Sequence, residues 1–182
     1  NYIRMKINFL ITVASLTAMM LVVPIDMVQL FASSPENTTT LFQIKRSRDA
    51  DEVVLEANLD VGGRLSKNQP VSVFWIRFSQ DRRRAPLTWL QQRLAYGVEY
   101  SHLSENMVVF NFVSYKKQSL ILKKDAYGQF RVFAEIDGKQ VMIDHIFVQF
   151  SGGTFLAPKI SHVNIYGKEA GTNDLVVQVI RP

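Results

Sequence analysis

Cysteine is absent from all 182 residues. That excludes disulfide staples and a thiol nucleophile, and it excludes a bacterial lipoprotein, whose anchor needs a cysteine after the apolar leader. A chain without crosslinks depends on its core for stability, and a hydrophobic content of 47% is enough to build one. Histidine is scarce as well. His102, His145 and His162 show neither the HxH nor the HExxH spacing that brings two ligands to one metal. Asp144 and His145 are adjacent, and on a strand neighbouring side chains point to opposite faces. The GxSxG elbow, the phosphate-binding GxxxxGK and the dinucleotide GxGxxG are all missing, and the scattered carboxylates define no pair across a cleft. The chain therefore gives no reason to expect a cofactor, a metal or a catalytic residue. It also shows no internal repeat and no second domain.

What is present begins with charge. A formal net charge of +5 and a pI near 9.5 favour anionic surroundings. Near the N-terminus Arg4 and Lys6 precede a largely apolar run from Ile7 to Val23, and polar sequence follows Pro24. These are the charged and apolar regions of a secretory signal, expected to occupy residues 1–32 and to end near Ala32. An uncleaved anchor is the alternative, because roughly 17 mostly apolar residues lie at the lower edge of what spans a bilayer. A polar linker over 33–40 and a single β domain over 41–182 are expected to follow. The leader and the lack of cysteine together place the expected protein in the bacterial periplasm or outside the cell.

From Leu41 onward short apolar runs alternate with turn residues. The pattern predicts strands at Leu41–Arg46, Val53–Leu59, Val71–Phe78, Met107–Ser114, Ser119–Lys123, Phe130–Ile136, Gln140–Phe150, Ile160–Tyr166 and Leu175–Ile180. Asp137-Gly138 between two of them suits a type I′ hairpin turn, which needs positive φ at both central residues. About nine strands with one short helix predict a mainly β fold, an antiparallel sandwich or barrel. Two strands are apolar on both faces. Val71, Val73 and Trp75 oppose Phe74, Ile76 and Phe78, while Val141, Ile143 and Phe147 oppose Met142, Ile146, Val148 and Phe150. Each therefore needs cover on both sides.

Residues 70–100 offer that cover. Pro86 suits a helix start, Leu87, Leu90 and Leu94 fall at i, i+3 and i+7, and Gly97 suits its end. The expectation is a lid helix that packs its leucine stripe on the sheet and turns Gln91 and Gln92 to water. Trp89, Arg93 and Tyr96, at i, i+4 and i+7, form a second stripe. With Arg82, Arg83 and Arg84 before the helix, and Tyr100 and His102 after it, they make up the expected ligand-binding surface. Rings offer stacking area and guanidinium groups offer paired donors, a combination suited to anionic or sugar-bearing ligands. The solvated-loop reading of the arginine run stands beside this one.

Four segments carry a resemblance: LFQIKRSRDADEVVLEANLD at 41–60, PVSVFWIR at 70–77, LTWLQQRLAYGVE at 87–99 and VNIYGKEAGTNDLVVQVI at 163–180. Together the chain resembles the bacterial domain of unknown function DUF4833. The most specific parts are Pro70 to Trp75 and Ala95 to Gly97, and Asp49 and Asp51 stand where the resemblance implies asparagine after the basic pair. The resemblance implies an exported single-domain protein and transfers no catalytic residue. The expected function is a noncatalytic binding or envelope-associated module, with an anionic lipid or glycan, or an envelope protein, as partner. Nucleic acid is disfavoured by the export signal, and a membrane is expected only through an uncleaved N-terminal segment. A small hydrolase with a pocket under the helix and a structural accessory of an envelope complex are the alternatives.

Overall fold

The computed structural model describes residues 37–154 and 158–181. The expected signal, and residues 33–36 of the expected linker, lie outside the described residues. The strands are β1 (Asn37–Arg46), β2 (Asp49–Leu59), β3 (Val71–Arg77), β4 (Arg83–Pro86), β5 (Val98–Ser104), β6 (Met107–Phe112), β7 (Tyr115–Lys124), β8 (Phe130–Ile136), β9 (Lys139–Gly153), β10 (Pro158–Glu169) and β11 (Leu175–Ile180). One helix, α1 (Trp89–Leu94), lies between β4 and β5. The chain is mainly β, as the alternation predicts. β1 starts at Asn37, inside the segment expected to be linker, because Asn37 to Thr40 pair with Leu59 to Glu56 of β2. Asp137 and Gly138 both have positive φ, 53° and 75°, and join β8 to β9 as a tight hairpin.

All eleven strands belong to one sheet, of which nine follow the path β4-β3-β2-β1-β9-β8-β7-β6-β5. The sheet is mixed, which corrects the antiparallel expectation: Gln43 to Arg46 of β1 run parallel to His145 to Val148 of β9. It curves into a half-barrel around one apolar core. β9 is long enough to serve three neighbours. Its first residues pair with β8, its middle with β1, and β10 pairs along most of its length.

A bulge in β9 resolves the problem of its two apolar faces. Tyr166 pairs with His145 but Gly167 pairs with Ile143, so Asp144 is the extra residue. One extra residue reverses the inside-outside parity of a strand. Val141 and Ile143 before the bulge, and Ile146 and Val148 after it, therefore all face inward and are buried. The bulge also re-aims Asp144, whose Oδ2 lies 2.7 Å from His145 Nδ1. The two side chains meet instead of pointing apart as a regular strand would have them.

Among the described residues no helix covers the outer face of β3. Val54, Phe74 and Phe133 are buried but stand outside the main core cluster. Long cations lie across two of them: Arg84 Cζ is 3.4 Å from the centroid of Phe74, and Lys123 Nζ is 4.8 Å from that of Phe133. Their aliphatic stems shed water from the ring while the charge stays hydrated. Arg84 is held there by Glu56, 2.9 Å away.

Asp51 ties β2 to the end of β3. It accepts from Arg77 Nη1 at 2.8 Å and from the Phe78 backbone N–H at 2.9 Å. The hydrogen bond from Arg77 is the chief cause that holds its carboxyl below the ordinary value of 3.8. Because the folded value is depressed, this contribution is present above the unfolded value and is lost as pH falls through the folded one. Asp51→Asn is expected to cost about 1.5 to 3 kcal/mol at neutral pH. In urea denaturation series, the gap between wild type and variant should stay constant down to about pH 4 and close below it.

Candidate functional site

The helix region is organised by polar contacts. Thr88 caps α1: its Oγ1 accepts from the Gln91 backbone N–H, and Gln91 Oε1 accepts from the Thr88 backbone N–H. This capping box starts the helix at Trp89. Pro86, expected at the helix start, is instead the last residue of β4. Gln91 Oε1 also accepts from Trp75 Nε1 at 3.1 Å, so the half-buried Gln91 is the residue that faces the sheet. The backbone N–H groups of Ala95 and Tyr96 both donate to the Gln91 carbonyl, which closes the helix after six residues. Gly97 follows because a Cβ there would lie 1.8 Å from the Gln92 carbonyl oxygen.

This register overturns the lid. Leu87 is buried, 5% exposed, but precedes the helix, while Leu90 and Leu94 are 46% and 65% exposed. A six-residue helix makes under two turns, too few to lay a three-leucine stripe on the sheet. The balance of the two side chains is therefore reversed. Gln91→Ala is expected to destabilise by about 1 to 3 kcal/mol, since it removes the cap and leaves the buried Trp75 N–H without its acceptor. Leu94→Ala should stay within about 0.5 kcal/mol. Chemical denaturation of the two variants side by side checks the order.

The expected binding residues separate into four places. Trp89 projects into solvent at 65% exposure, with Arg93 Cζ 5.4 Å from its ring centroid. Tyr96 lies beyond the helix end and meets the buried Trp75 edge-on at 5.4 Å, so it does not share a face with Trp89 and Arg93. Arg82 and Arg83 are exposed at the turn into β4, whereas Arg84 is engaged with Glu56 and Phe74. Tyr100 and His102 lie on β5, where the Tyr100 hydroxyl meets the Asn68 carbonyl and His102 Nε2 the Lys67 carbonyl. They pin the loop between β2 and β3. Beside them is a hollow of about 300 Å³ bordered by Asp60, Arg64, Lys67, His102 and Glu105. Its charges answer one another: Arg64 lies 2.9 Å from Asp60 and 3.4 Å from Glu105. Asp60 is held below its usual carboxyl value, chiefly by the Arg64 backbone N–H.

A different feature dominates the interior. A cavity of about 350 Å³ opens inside the half-barrel. Its walls are the inward side chains of Ile44 from β1, Ile146, Val148 and Phe150 from β9, Val163 and Ile165 from β10, and Ile180 from β11. Phe112 and Leu120 close the other side, and Leu94, Tyr96, Ser114 and Tyr115 stand where the 94–96 and 114–115 segments meet. Ser114 Oγ donates to the Ala95 carbonyl at 2.6 Å and the Val113 backbone N–H to the Gly97 carbonyl at 2.9 Å, which fastens that rim. Among the described residues no charged side chain lines the cavity. Of the eight expected residues only Tyr96 reaches it. The other lining residues were missed because the wall depends on the β9 bulge, although apolar residues at both parities of Gln140–Phe150 were its trace in the sequence.

Among the described residues no group of three histidine, aspartate or glutamate side chains could hold a metal ion, and no helix is long and apolar enough to cross a membrane. The family model described as "Domain of unknown function (DUF4833)" matches residues 42–178. No curated protein and no solved structure matches the chain.

Proposed function

The chain belongs to the DUF4833 family, and from that premise we propose that it is an exported, noncatalytic binding module that holds an elongated apolar ligand, such as a fatty-acyl chain, inside the half-barrel. The observation that carries this reading is the cavity of about 350 Å³, bounded by strands from both arms of the sheet and, among the described residues, free of charged lining. Ligand pockets are concave, mostly apolar and begin at roughly 300 Å³. A hydrolase would need nucleophile, base and oxyanion donors converging on such a space. Here the polar lining is Tyr96, Ser114, Tyr115 and Gln118, with no histidine and no carboxylate among the described residues, so binding is favoured over catalysis.

Transfer of one methylene from water into the cavity contributes about 0.8 kcal/mol, or about fourfold in Kd. Titration of the protein with fluorescent fatty acids of increasing length should show that step until the cavity is filled. Val163→Phe, which puts a ring into the space, is expected to weaken the best probe at least about tenfold without lowering Tm. Equal affinity in wild type and variant, or affinity independent of chain length, would place binding elsewhere.

A further inference from the structure

Among the described residues β4, β5 and β11 are edge strands, each hydrogen-bonded to one neighbour. A free edge presents unpaired backbone N–H and C=O groups, and sheets ordinarily guard such rows with charge, proline or a bulge. β4 carries Arg83 and Arg84 and ends in Pro86. β5 carries Glu99 and has a register break between His102 and Ser104. The part of β10 that runs past β11 begins with Pro158 and Lys159. β11 has none of these guards: it is uncharged, lacks proline, and its pairing with β10 runs without a break up to Ile180.

The backbone of β11 is laid out for another strand. The Glu169 N–H donates to the Asp174 carbonyl, so Asp174 turns its backbone groups toward β10. That direction alternates along an antiparallel strand. The N–H and C=O groups of Leu175, Val177 and Val179 therefore point away from β10, to the free edge. Their side chains are exposed on the outer side of the sheet, while Val176 and Ile180 pack against the core on the inner side. A row of apolar side chains thus runs beside a row of unpaired backbone groups, which is what an added strand requires.

The strand that fits is β11 itself. An antiparallel second copy, centred on Val177, sets Val177 against Val177 and Leu175 against Val179. Each such pair joins outward-pointing backbone groups on both copies, and each brings apolar side chains together on one face. In this register Asp174 falls opposite Ile180 and Arg181 opposite Asn173, so no charge meets its like. The outer row behind it supports the same line, since Val177 pairs with Tyr166 and the Tyr166 ring stacks on His145 at 4.4 Å. We propose that two copies of the chain join edge to edge through β11, antiparallel about a two-fold axis at Val177. The contact is one strand pair, at the small end of specific interfaces, so the dimer is expected to depend on concentration. The inference does not depend on what the cavity holds.

Because the chain has no cysteine, single substitutions report the register. In the full chain Val177→Cys should form an intermolecular disulfide under mild oxidation, since residues opposed in a hydrogen-bonded pair stand about 5.5 Å apart, within disulfide reach. Leu175→Cys lies roughly 13 Å along the strand from its own counterpart and should crosslink at least about tenfold more slowly. Adding Val179→Cys to it should restore the crosslink. Val177→Pro removes an outward N–H without breaking the ladder to β10, and should raise the dimer dissociation constant at least about tenfold in sedimentation equilibrium. The proposal is overturned if the chain stays monomeric throughout the concentration series, if Leu175→Cys crosslinks as fast as Val177→Cys, or if Val177→Pro dimerises as wild type does. In a monomer, a Val177→Cys thiol open to maleimide would leave the edge to a different partner, and a shielded one would mean that another segment of the same chain covers it.

Discussion

Replacing Trp75 with alanine is expected to destabilise the protein by about 3 to 5 kcal/mol, the range for truncation of a buried aromatic side chain. Trp75 is fully buried on β3 and organises its surroundings. The guanidinium carbons of Arg46 and Arg77 lie 4.2 and 4.5 Å from its ring centroid, Tyr96 meets its edge, and its N–H reaches Gln91. Truncation leaves two cations over an empty space, and it unfastens α1 from the sheet. The matching change at Trp89 should stay within about 0.5 kcal/mol, because that ring is exposed. Urea denaturation of the two variants separates them by several kcal/mol. Similar losses at both tryptophans would mean that Trp89 is packed and not exposed.

Gly167→Ala is expected to have the next largest effect, about 2 to 3 kcal/mol, as an overpacking change in close-packed surroundings. Gly167 is buried opposite the β9 bulge, and a Cβ there would stand 2.4 Å from the Met142 carbonyl oxygen and 2.6 Å from Val141 Cγ1. A backbone oxygen has no rotamer to escape into, so β10 must move away from β9. That movement disturbs Ile146, Val148 and Ile165, which share the cavity wall. The variant should therefore lose fatty-acid probe affinity even at temperatures where it remains folded. A loss of stability below about 0.5 kcal/mol, with unaltered probe binding, would contradict the structural role given to the bulge.

Period-two alternation made some of this fold legible residue by residue. Phe130–Ile136 and Leu175–Ile180 are strands with the expected bounds, and Asp137-Gly138 forms the expected turn. β4 and β5 were not legible. Arg83–Pro86 is an arginine-rich edge ending in proline, and Val98–Ser104 is almost wholly exposed, so neither has an apolar face to alternate. The helix was legible as an element but not in its register. Leucine spacing suggested a buried stripe, yet the capping box and one side-chain hydrogen bond to Trp75 turned Gln91 inward instead. The cavity was hidden for a similar reason. A single extra residue at Asp144 decides which side of β9 its later residues face, and binary pattern alone does not place a bulge. Arginines laid over Phe74 and Trp75 also do work that the pattern assigned to a lid.

The central claim is that the inside of the half-barrel takes up an acyl chain. Methyl NMR of the full chain, titrated with a long-chain fatty acid that carries a nitroxide on its tail, tests it most directly. Ile146, Ile165 and Ile180 line the cavity, whereas Val54 and Val177 belong to the outer side of the sheet or its exposed edge. Saturable broadening of the three isoleucine methyls is expected, with the two valines unaffected and the effect lost in Val163→Phe. Broadening of Val54 and Val177 in place of the isoleucines, or no saturable broadening at any methyl, would contradict it.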